Sequence, residues 1–172
     1  MALVLPLGEL RETEQLGAAL AAVAQRGDVI FLNGDLGAGK TALARGFLRH
    51  YFLNPDLDVP SPSYLLHFTY TDEGEEAALA ADGGAAASLS AEDTVAGSTH
   101  GRDFRGGRFA TLPGVAVHHL DPYRLPEGRI AGLVEFEKMF ASDISLIEWP
   151  ERLGEQLVTA ISPARLELTL GL

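Results

Sequence analysis

The glycine-rich segment from Gly34 to Thr41 constrains the fold more than any other part of this sequence. Its letters, G-D-L-G-A-G-K-T, match the pattern G-x-x-x-x-G-K-[ST], in which a tight loop wraps its backbone around phosphate groups. The apolar run from Asp28 to Leu32 precedes the loop and predicts a buried strand. Apolar residues from Lys40 to Tyr51 recur at helical spacing and predict a helix. A strand, this loop and a helix in this order are typical of phosphate-binding α/β proteins.

Each fixed position of the P-loop has a mechanical reason. Gly34, Gly37 and Gly39 allow backbone conformations that side chains obstruct, so that successive N–H groups point at phosphate oxygens. Lys40 brings a positive charge to the β and γ phosphates, and the Thr41 hydroxyl is a ligand for Mg²⁺. The start of the following helix adds its own partial positive charge. The sequence therefore predicts a site for a nucleoside triphosphate with Mg²⁺, and ATP is the expected nucleotide.

Two acidic residues end predicted strands on the carboxyl side of the loop. Asp121 follows a strand from Val115 to Leu120, and Glu148 ends a strand that begins at Ile144. If these strands run parallel to the strand before the loop, both carboxylates reach the edge of the sheet at which ligands bind. Either one can hold the metal ion while the other orients the attacking water. The alternative for each is an acid that only caps a turn.

Three further side chains near these strand ends have two candidate roles each. His119 is a candidate for proton transfer, although a histidine in a half-buried strand is more often structural. Arg124 resembles an arginine finger supplied by the same chain, or forms an ordinary surface ion pair. Trp149 either stacks on a base or fills a pocket, of a partner or of the core. The residues alone do not choose between these roles.

Composition restricts the class of protein. A chain of 172 residues fits one domain, and the absence of cysteine excludes disulfides and favours a reducing compartment. Thirteen basic and 24 acidic residues give a net charge of −11, which disfavours direct capture of a nucleic acid. The sequence has neither an apolar run of about 18 residues nor a secretion signal, so we expect no membrane association. The expected location is cytoplasmic, with organellar targeting in a eukaryotic source left open.

Other periodic segments complete the predicted fold. Helical spacing predicts a helix from Glu12 to Gln25 and a short helix within Ile130 to Phe140. Apolar or alternating runs predict strands at Ala2 to Leu7, Tyr64 to Tyr70 and Leu166 to Leu170. Strands and helices alternate along the chain. This favours an α/β, P-loop NTPase-like fold of three layers, with a central mixed, mainly parallel sheet flanked by helices.

The segment from residue 72 to residue 112 differs from the rest in composition. It holds ten alanines, seven glycines and eight acidic residues, with few large apolar side chains. Such a segment buries too little surface to offset the entropy of ordering. We therefore expect a single domain at 1–172 that carries a disordered insertion at 72–112, most simply a solvated tether.

Taken together, the motifs resemble those of the TsaE (YjeE) family, the small P-loop ATPases of bacterial-type tRNA threonylcarbamoyladenosine biosynthesis. Many superfamilies share the P-loop, but its combination with the other blocks in this order is highly specific. The blocks are E-T-x-x-L-G from Glu12, G-D-L-G-A-G-K-T-A-L-A-R-G from Gly34, V-P-S-P-S-Y-L-L from Val59, and H-L-D-P-Y-R-L, G-L-x-E-F and L-I-E-W-P-E between His119 and Glu151. The chain departs from the family pattern at Ser63, where threonine is usual, and in the length of segment 72–112.

The resemblance implies slow hydrolysis of Mg²⁺-bound ATP in support of a TsaB–TsaD pair, which modifies adenosine 37 of tRNA. The tRNA would then be contacted only through that complex. The resemblance also implies Mg²⁺ ligation by Thr41 and Glu148, with Asp121 as the catalytic acidic residue. We therefore expect catalysis to depend on Lys40, Asp121 and Glu148, with Asp121 as a further candidate metal ligand. The remaining implied nucleotide contacts are Glu12 and Thr13 near the adenine or ribose, Gly34, Leu36, Gly37, Ala38 and Gly39 in the loop, and Ser61, Ser63 and Trp149.

Two other functions remain open on the sequence. A non-hydrolytic module would use ATP only to order the segment from Ser61 to Tyr70 for partner docking. A small-molecule kinase would need a lid rich in arginine, and the insertion offers only Arg102, Arg105 and Arg108. A GTPase is disfavoured because the chain has no N-K-x-D motif for reading guanine.

Overall fold

The described part of the chain folds into four α-helices, two short 3₁₀ helices and six strands. A computed structural model describes residues 5–72, 74–79, 112–161 and 165–171, with 74–79 described by their backbone alone. The elements are α1 (Leu10–Ala21), β1 (Val29–Asn33), α2 (Lys40–Tyr51), β2 (His67–Thr71), β3 (Gly74–Leu79), β4 (Val117–Leu120), a 3₁₀ helix (Arg129–Gly132), α3 (Phe136–Ser142), β5 (Ile144–Glu148), a second 3₁₀ helix (Pro150–Leu153), α4 (Glu155–Ala160) and β6 (Leu166–Thr169).

The strands form one sheet in the order β3-β2-β4-β5-β1-β6. β1 pairs in parallel with β5 and β6, and β4 pairs in parallel with β5. β2 is antiparallel to both of its neighbours, β3 and β4. β1 is apolar on both faces because helices cover the sheet on both sides. The predicted mixed, mainly parallel sheet is confirmed.

Helices α1 and α2 cover one face of the sheet, and the backbones of the two helices contact each other directly. Leu43, Phe47 and Leu48 of α2 are fully buried against this face, each contributing about 1.5–3 kcal/mol by burial. The two helices approach closely because glycines stand at their crossing. A methyl group on Gly17 would overlap the backbone of Leu43, and one on Gly46 would overlap the backbone of Glu14.

This crossing predicts that Gly46→Ala lowers the free energy of unfolding by about 3 kcal/mol, since the overlapping atoms are backbone and cannot rotate away. Denaturant unfolding measures the change. The matched control is Gly132→Ala, because a methyl group there would meet no described atom within 4 Å. Equal stabilities of the two variants would contradict the close helix crossing.

The 3₁₀ helices, α3 and α4 cover the opposite face of the sheet. Ile130, Phe136, Met139 and Leu153 come from three of these elements and are buried together with Phe31 of β1. The predicted three layers are thereby confirmed. Within the residues that the structure describes, no helix combines the length and the apolar character needed to cross a lipid bilayer.

Several element boundaries differ from the sequence predictions for local reasons. α1 begins at Leu10, earlier than predicted, because Glu9 and Glu12 form a reciprocal capping box. β2 begins at His67 because the N–H groups of Leu65 and Leu66 turn back to the carbonyl of Pro62. No strand forms at 5–7, and residues 1–4 of the predicted edge strand lie outside the described residues.

The predicted disorder of segment 72–112 is wrong for Gly74–Leu79. These residues form β3 by pairing with β2 over its whole length. The pairing supplies backbone hydrogen bonds that composition does not reveal, because they depend on the neighbouring strand and not on side chains. Residues 73 and 80–111 lie outside the described residues, where the prediction stays untested.

Candidate functional site

The P-loop connects β1 to α2 and depends on glycine at three positions. Gly34, Gly37 and Gly39 have φ values of 137°, 85° and 96°, in the region that side chains disfavour. Gly34 has a second constraint, since a methyl group there would collide with the carbonyl oxygen of Leu170. Gly39 is the residue just before α2, so the loop is followed directly by the amino end of that helix.

A cavity of about 190 Å³ lies between the loop and the carboxyl ends of the strands. The parallel register places Leu32 of β1 beside Glu148, and Leu120 of β4 beside Ile147. Asp121 and Glu148 therefore reach the same edge of the sheet as the loop. The cavity is lined by Leu36, Gly37, Gly39, Lys40, Thr41, Ala42, Ser61, Ser63, Asp121, Glu148 and Trp149. Most of the residues predicted from the sequence thus surround one space.

Lys40 is buried in this cavity and folds back over its own loop. Its Nζ donates hydrogen bonds to the carbonyl oxygens of Gly34, at 2.7 Å, and Asp35, at 2.8 Å. The same Nζ lies 3.9 Å from the ring centroid of Trp149. Trp149 holds its indole there with a left-handed backbone, at φ 51°. The ammonium is therefore surrounded by electron-rich groups. These groups contact Nζ where the P-loop pattern leads us to expect phosphate oxygens.

Thr41 and Glu148 form the part of the site that suits a hard cation. The Thr41 hydroxyl donates to Oε1 of Glu148 at 2.8 Å. The same carboxylate oxygen lies 2.9 Å from Nε2 of His119, and both of these residues are buried. Carboxylate and hydroxyl oxygens are ligands that Mg²⁺ accepts. The donor set therefore fits the predicted Mg²⁺.

Asp121 is buried, and hydrogen bonds fix both of its carboxyl oxygens. Oδ1 accepts the backbone N–H of Tyr123 at 3.0 Å, and Oδ2 accepts the Ser63 hydroxyl. Ser63 is in turn 2.8 Å from the hydroxyl of Ser61. Burial raises the pKa of Asp121, the charge of Glu148 raises this pKa further, and the bonds from Ser63 and Tyr123 partly oppose both effects. The pKa of Asp121 therefore lies nearer to neutral pH than the pKa of an ordinary aspartate.

A second groove, of about 390 Å³, shares Gly37 and Gly39 with the cavity. Thr13 and Ala38, two of the predicted nucleotide contacts, line this groove. Glu12 lines neither space, because its Oε2 accepts the N–H groups of Gly8 and Glu9 at the start of α1. A direct nucleotide contact of Glu12 stays a prediction.

Trp149, which lines the cavity, packs against a second aromatic ring. The rings of Tyr123 and Trp149 are 4.6 Å apart, and the guanidinium of Arg124 lies 4.2 Å from the ring of Tyr64. Arg124 is exposed and does not belong to the cavity lining, so the structure gives no support to an arginine finger in this state.

The prediction from sequence gave His119 either a structural or a proton-transfer role, and it missed the contact of His119 with Glu148. The available signal was the strand period of two, which puts His119 on the same side of the chain as Asp121.

The fold and the site define the class of this protein. A parallel β1–β5–β4 array, a P-loop between β1 and α2, and acids at the carboxyl ends of β4 and β5 are the features of an α/β protein of the P-loop class. The crystal structure of YdiB from Bacillus subtilis has the same fold. It superposes with a TM-score of 0.54 at 21% sequence identity, covering 96% of this chain and 73% of that chain.

The family follows from the sequence comparisons. The family model described as "Threonylcarbamoyl adenosine biosynthesis protein TsaE" matches residues 7–81. The TsaE protein of Mycobacterium leprae is 42% identical over 164 residues, covering 92% of this chain and 78% of the relative. The TsaE protein of Rickettsia felis is 25% identical over 96% of this chain and 72% of the relative.

The chain belongs to the TsaE family, whose role is in the biosynthesis of threonylcarbamoyladenosine in tRNA. The resemblance inferred from the motifs is thereby confirmed.

Proposed function

We propose that this protein binds ATP with Mg²⁺ and hydrolyses it as an accessory subunit in the N6-threonylcarbamoylation of adenosine 37 of tRNA. One observation carries the proposal. A single cavity combines the P-loop backbone, Lys40 and the Thr41–Glu148 pair with a second carboxylate, that of Asp121. Phosphate binding, cation binding and proton transfer thus have candidate groups within one space of about 190 Å³.

The proposed roles follow from the contacts of each side chain. Lys40 exchanges the carbonyl oxygens of Gly34 and Asp35 for phosphate oxygens, and so neutralises charge on the triphosphate. Thr41 and Glu148 hold Mg²⁺, which when bound supplies charge neutralisation at the phosphates. Asp121 orients the attacking water and accepts its proton, a task that suits a carboxylate of raised pKa.

The proposed partner is a TsaB–TsaD protein pair, and tRNA is contacted only through that complex. A net charge of −11 supports this, since a strongly acidic protein repels the tRNA backbone. ATP hydrolysis then resets the assembly and does not donate the transferred group. Because the modification acts on tRNA, we place the protein in the cytoplasm.

A non-hydrolytic, nucleotide-gated docking module is the second candidate. The hydrogen bonds from Ser61 to Ser63 and from Ser63 to Asp121 favour it, because they tie the segment before β2 to the cavity. A ligand that displaces Asp121 would release this segment. A small-molecule kinase has less support, and the arginines expected in its lid lie outside the described residues.

The rate of phosphate release tests the proposal. With ATP and Mg²⁺, we expect slow release by the protein alone and faster release when the TsaB–TsaD pair is added. Binding to the pair is measured in the same samples, with ATP and with a non-hydrolysable analogue. If ATP strengthens binding while release stays at the background rate, the docking module is correct and the ATPase proposal is wrong.

A further inference from the structure

We propose that His119 is a positioning residue that holds the Glu148 carboxylate in the orientation needed to bind Mg²⁺. The inference rests on the proposed function, because it concerns the same cation site. It assigns a role to a buried residue of β4 that the roles proposed above do not use.

His119 acts from behind the site. Its side chain is fully buried, and it is not among the residues that line the cavity. In the sheet it stands between Phe68 of β2 and Leu146 of β5, both of which are buried and apolar. Among the described residues, the ring can therefore act on a ligand in the cavity only through Glu148, whose Oε1 lies 2.9 Å from Nε2.

The hydrogen bonding of the ring argues against a purely structural role. Among the described residues, Nδ1 of His119 is buried without a hydrogen-bond partner, so the imidazole is held by one bond only. An apolar side chain would fill the same place without burying an unpaired nitrogen. A carboxylate ligand only accepts hydrogen bonds, so the tautomer of His119 that suits this contact carries N–H at Nε2 and donates a hydrogen bond to Glu148.

The single bond is placed where it controls the cation site. Thr41 and His119 both donate to Oε1 of Glu148, which directs the other oxygen of the carboxylate away from these two donors. Thr41 is itself a proposed Mg²⁺ ligand, so its contact with Glu148 changes when the cation binds. His119 is the donor that remains in place, and a fixed second partner of this kind is what orients carboxylate ligands in metal sites.

Two substitutions separate positioning from packing. His119→Gln keeps an N–H donor near the position of Nε2, whereas the shorter side chain of His119→Asn cannot reach Glu148. The matched control is His118→Asn, because His118 faces the other side of the sheet and lies 3.2 Å from Asp143. The melting temperature of each variant reports packing, and His119→Leu replaces the asparagine variant if that variant does not fold.

The readout is the Mg²⁺ concentration that half-maximally strengthens binding of a non-hydrolysable ATP analogue. We expect His119→Asn to raise this concentration at least about tenfold, with His119→Gln and His118→Asn close to wild type. Binding of the analogue without Mg²⁺ should stay unchanged in all four proteins. Equal values for His119→Asn and wild type, or equal impairment in the asparagine and glutamine variants, would overturn the positioning role. If the wild-type protein binds the analogue equally well with and without Mg²⁺, the proposed function is overturned, and this inference with it.

Discussion

Lys40→Ala is expected to weaken ATP binding and to lower phosphate release at least about a hundredfold, the usual loss when one charge-stabilising donor is removed. Lys40 is buried, and its Nζ contacts two loop carbonyls and the Trp149 ring. The substitution removes the charge that would meet the phosphates and leaves those two carbonyls without their donor. Titration with a fluorescent ATP analogue and a phosphate-release assay measure the two effects.

The chain offers a close control for this variant. Lys138 is the only other lysine in the sequence, and it is exposed on α3. Lys138→Ala makes the same chemical change away from the cavity, so nucleotide binding should equal that of wild type. Normal binding by Lys40→Ala, or equal losses in the two variants, would show that the P-loop cavity is not the nucleotide site.

Asp121→Asn is expected to lower phosphate release at least about a hundredfold, since removing a general base costs 10²-fold or more. At neutral pH the variant should melt at the same or a higher temperature than wild type. The reason is that Asn keeps an acceptor for the Tyr123 N–H and carries no charge to repel Glu148. Activity should therefore fall without a loss of stability.

The pH dependence follows from the raised pKa of Asp121. A carboxyl group whose pKa is higher in the folded state than in the unfolded state favours folding below its ordinary pKa of 3.8. That contribution is lost as the pH rises through the higher, folded pKa. The advantage of Asp121→Asn in melting temperature should thus be largest at neutral pH and should shrink as the pH falls toward 3.8.

Thermal melting of the two proteins across this pH range checks the prediction. Asp56→Asn is the control, because Asp56 is exposed and lies outside the cavity lining. A variant at position 121 that melts well below wild type at neutral pH would mean that the charged carboxylate stabilises the fold. Wild-type phosphate release by the same variant would remove Asp121 from the proposed mechanism.

Prediction from sequence succeeded where a pattern is local. α2 begins at Lys40 and ends at Tyr51, as predicted, because glycine punctuation and helical spacing lie within the same few residues. The predicted bounds of β5 and β6 lie within one residue of the observed bounds, because each strand is a short apolar or alternating run of the sequence. The short helix predicted within Ile130 to Phe140 overlaps two observed elements, the first 3₁₀ helix and α3. The helix α4 and the second 3₁₀ helix were missed, since short helices carry little periodicity.

Contacts between different elements were harder to predict than the elements themselves. β3 lies within a segment whose composition indicates disorder, and it forms because β2 presents a free edge to it. The Thr41–Glu148 hydrogen bond joins residues 107 positions apart, and the bond from Ser63 to Asp121 joins residues 58 apart. No short window of sequence, of the length in which periodicity and motifs are recognised, contains both members of either pair.

The sequence by itself determined the P-loop, the strand and helix on either side of it, the two acids at strand ends and the family. Those features depend on residue type and on spacing along the chain. Only the tertiary structure decided which groups meet: the Lys40 ammonium lies over the ring of Trp149, and Glu148 lies between Thr41 and the buried His119. Such contacts depend on the order of strands in the sheet, which is fixed by the burial of the whole chain and not by any one segment.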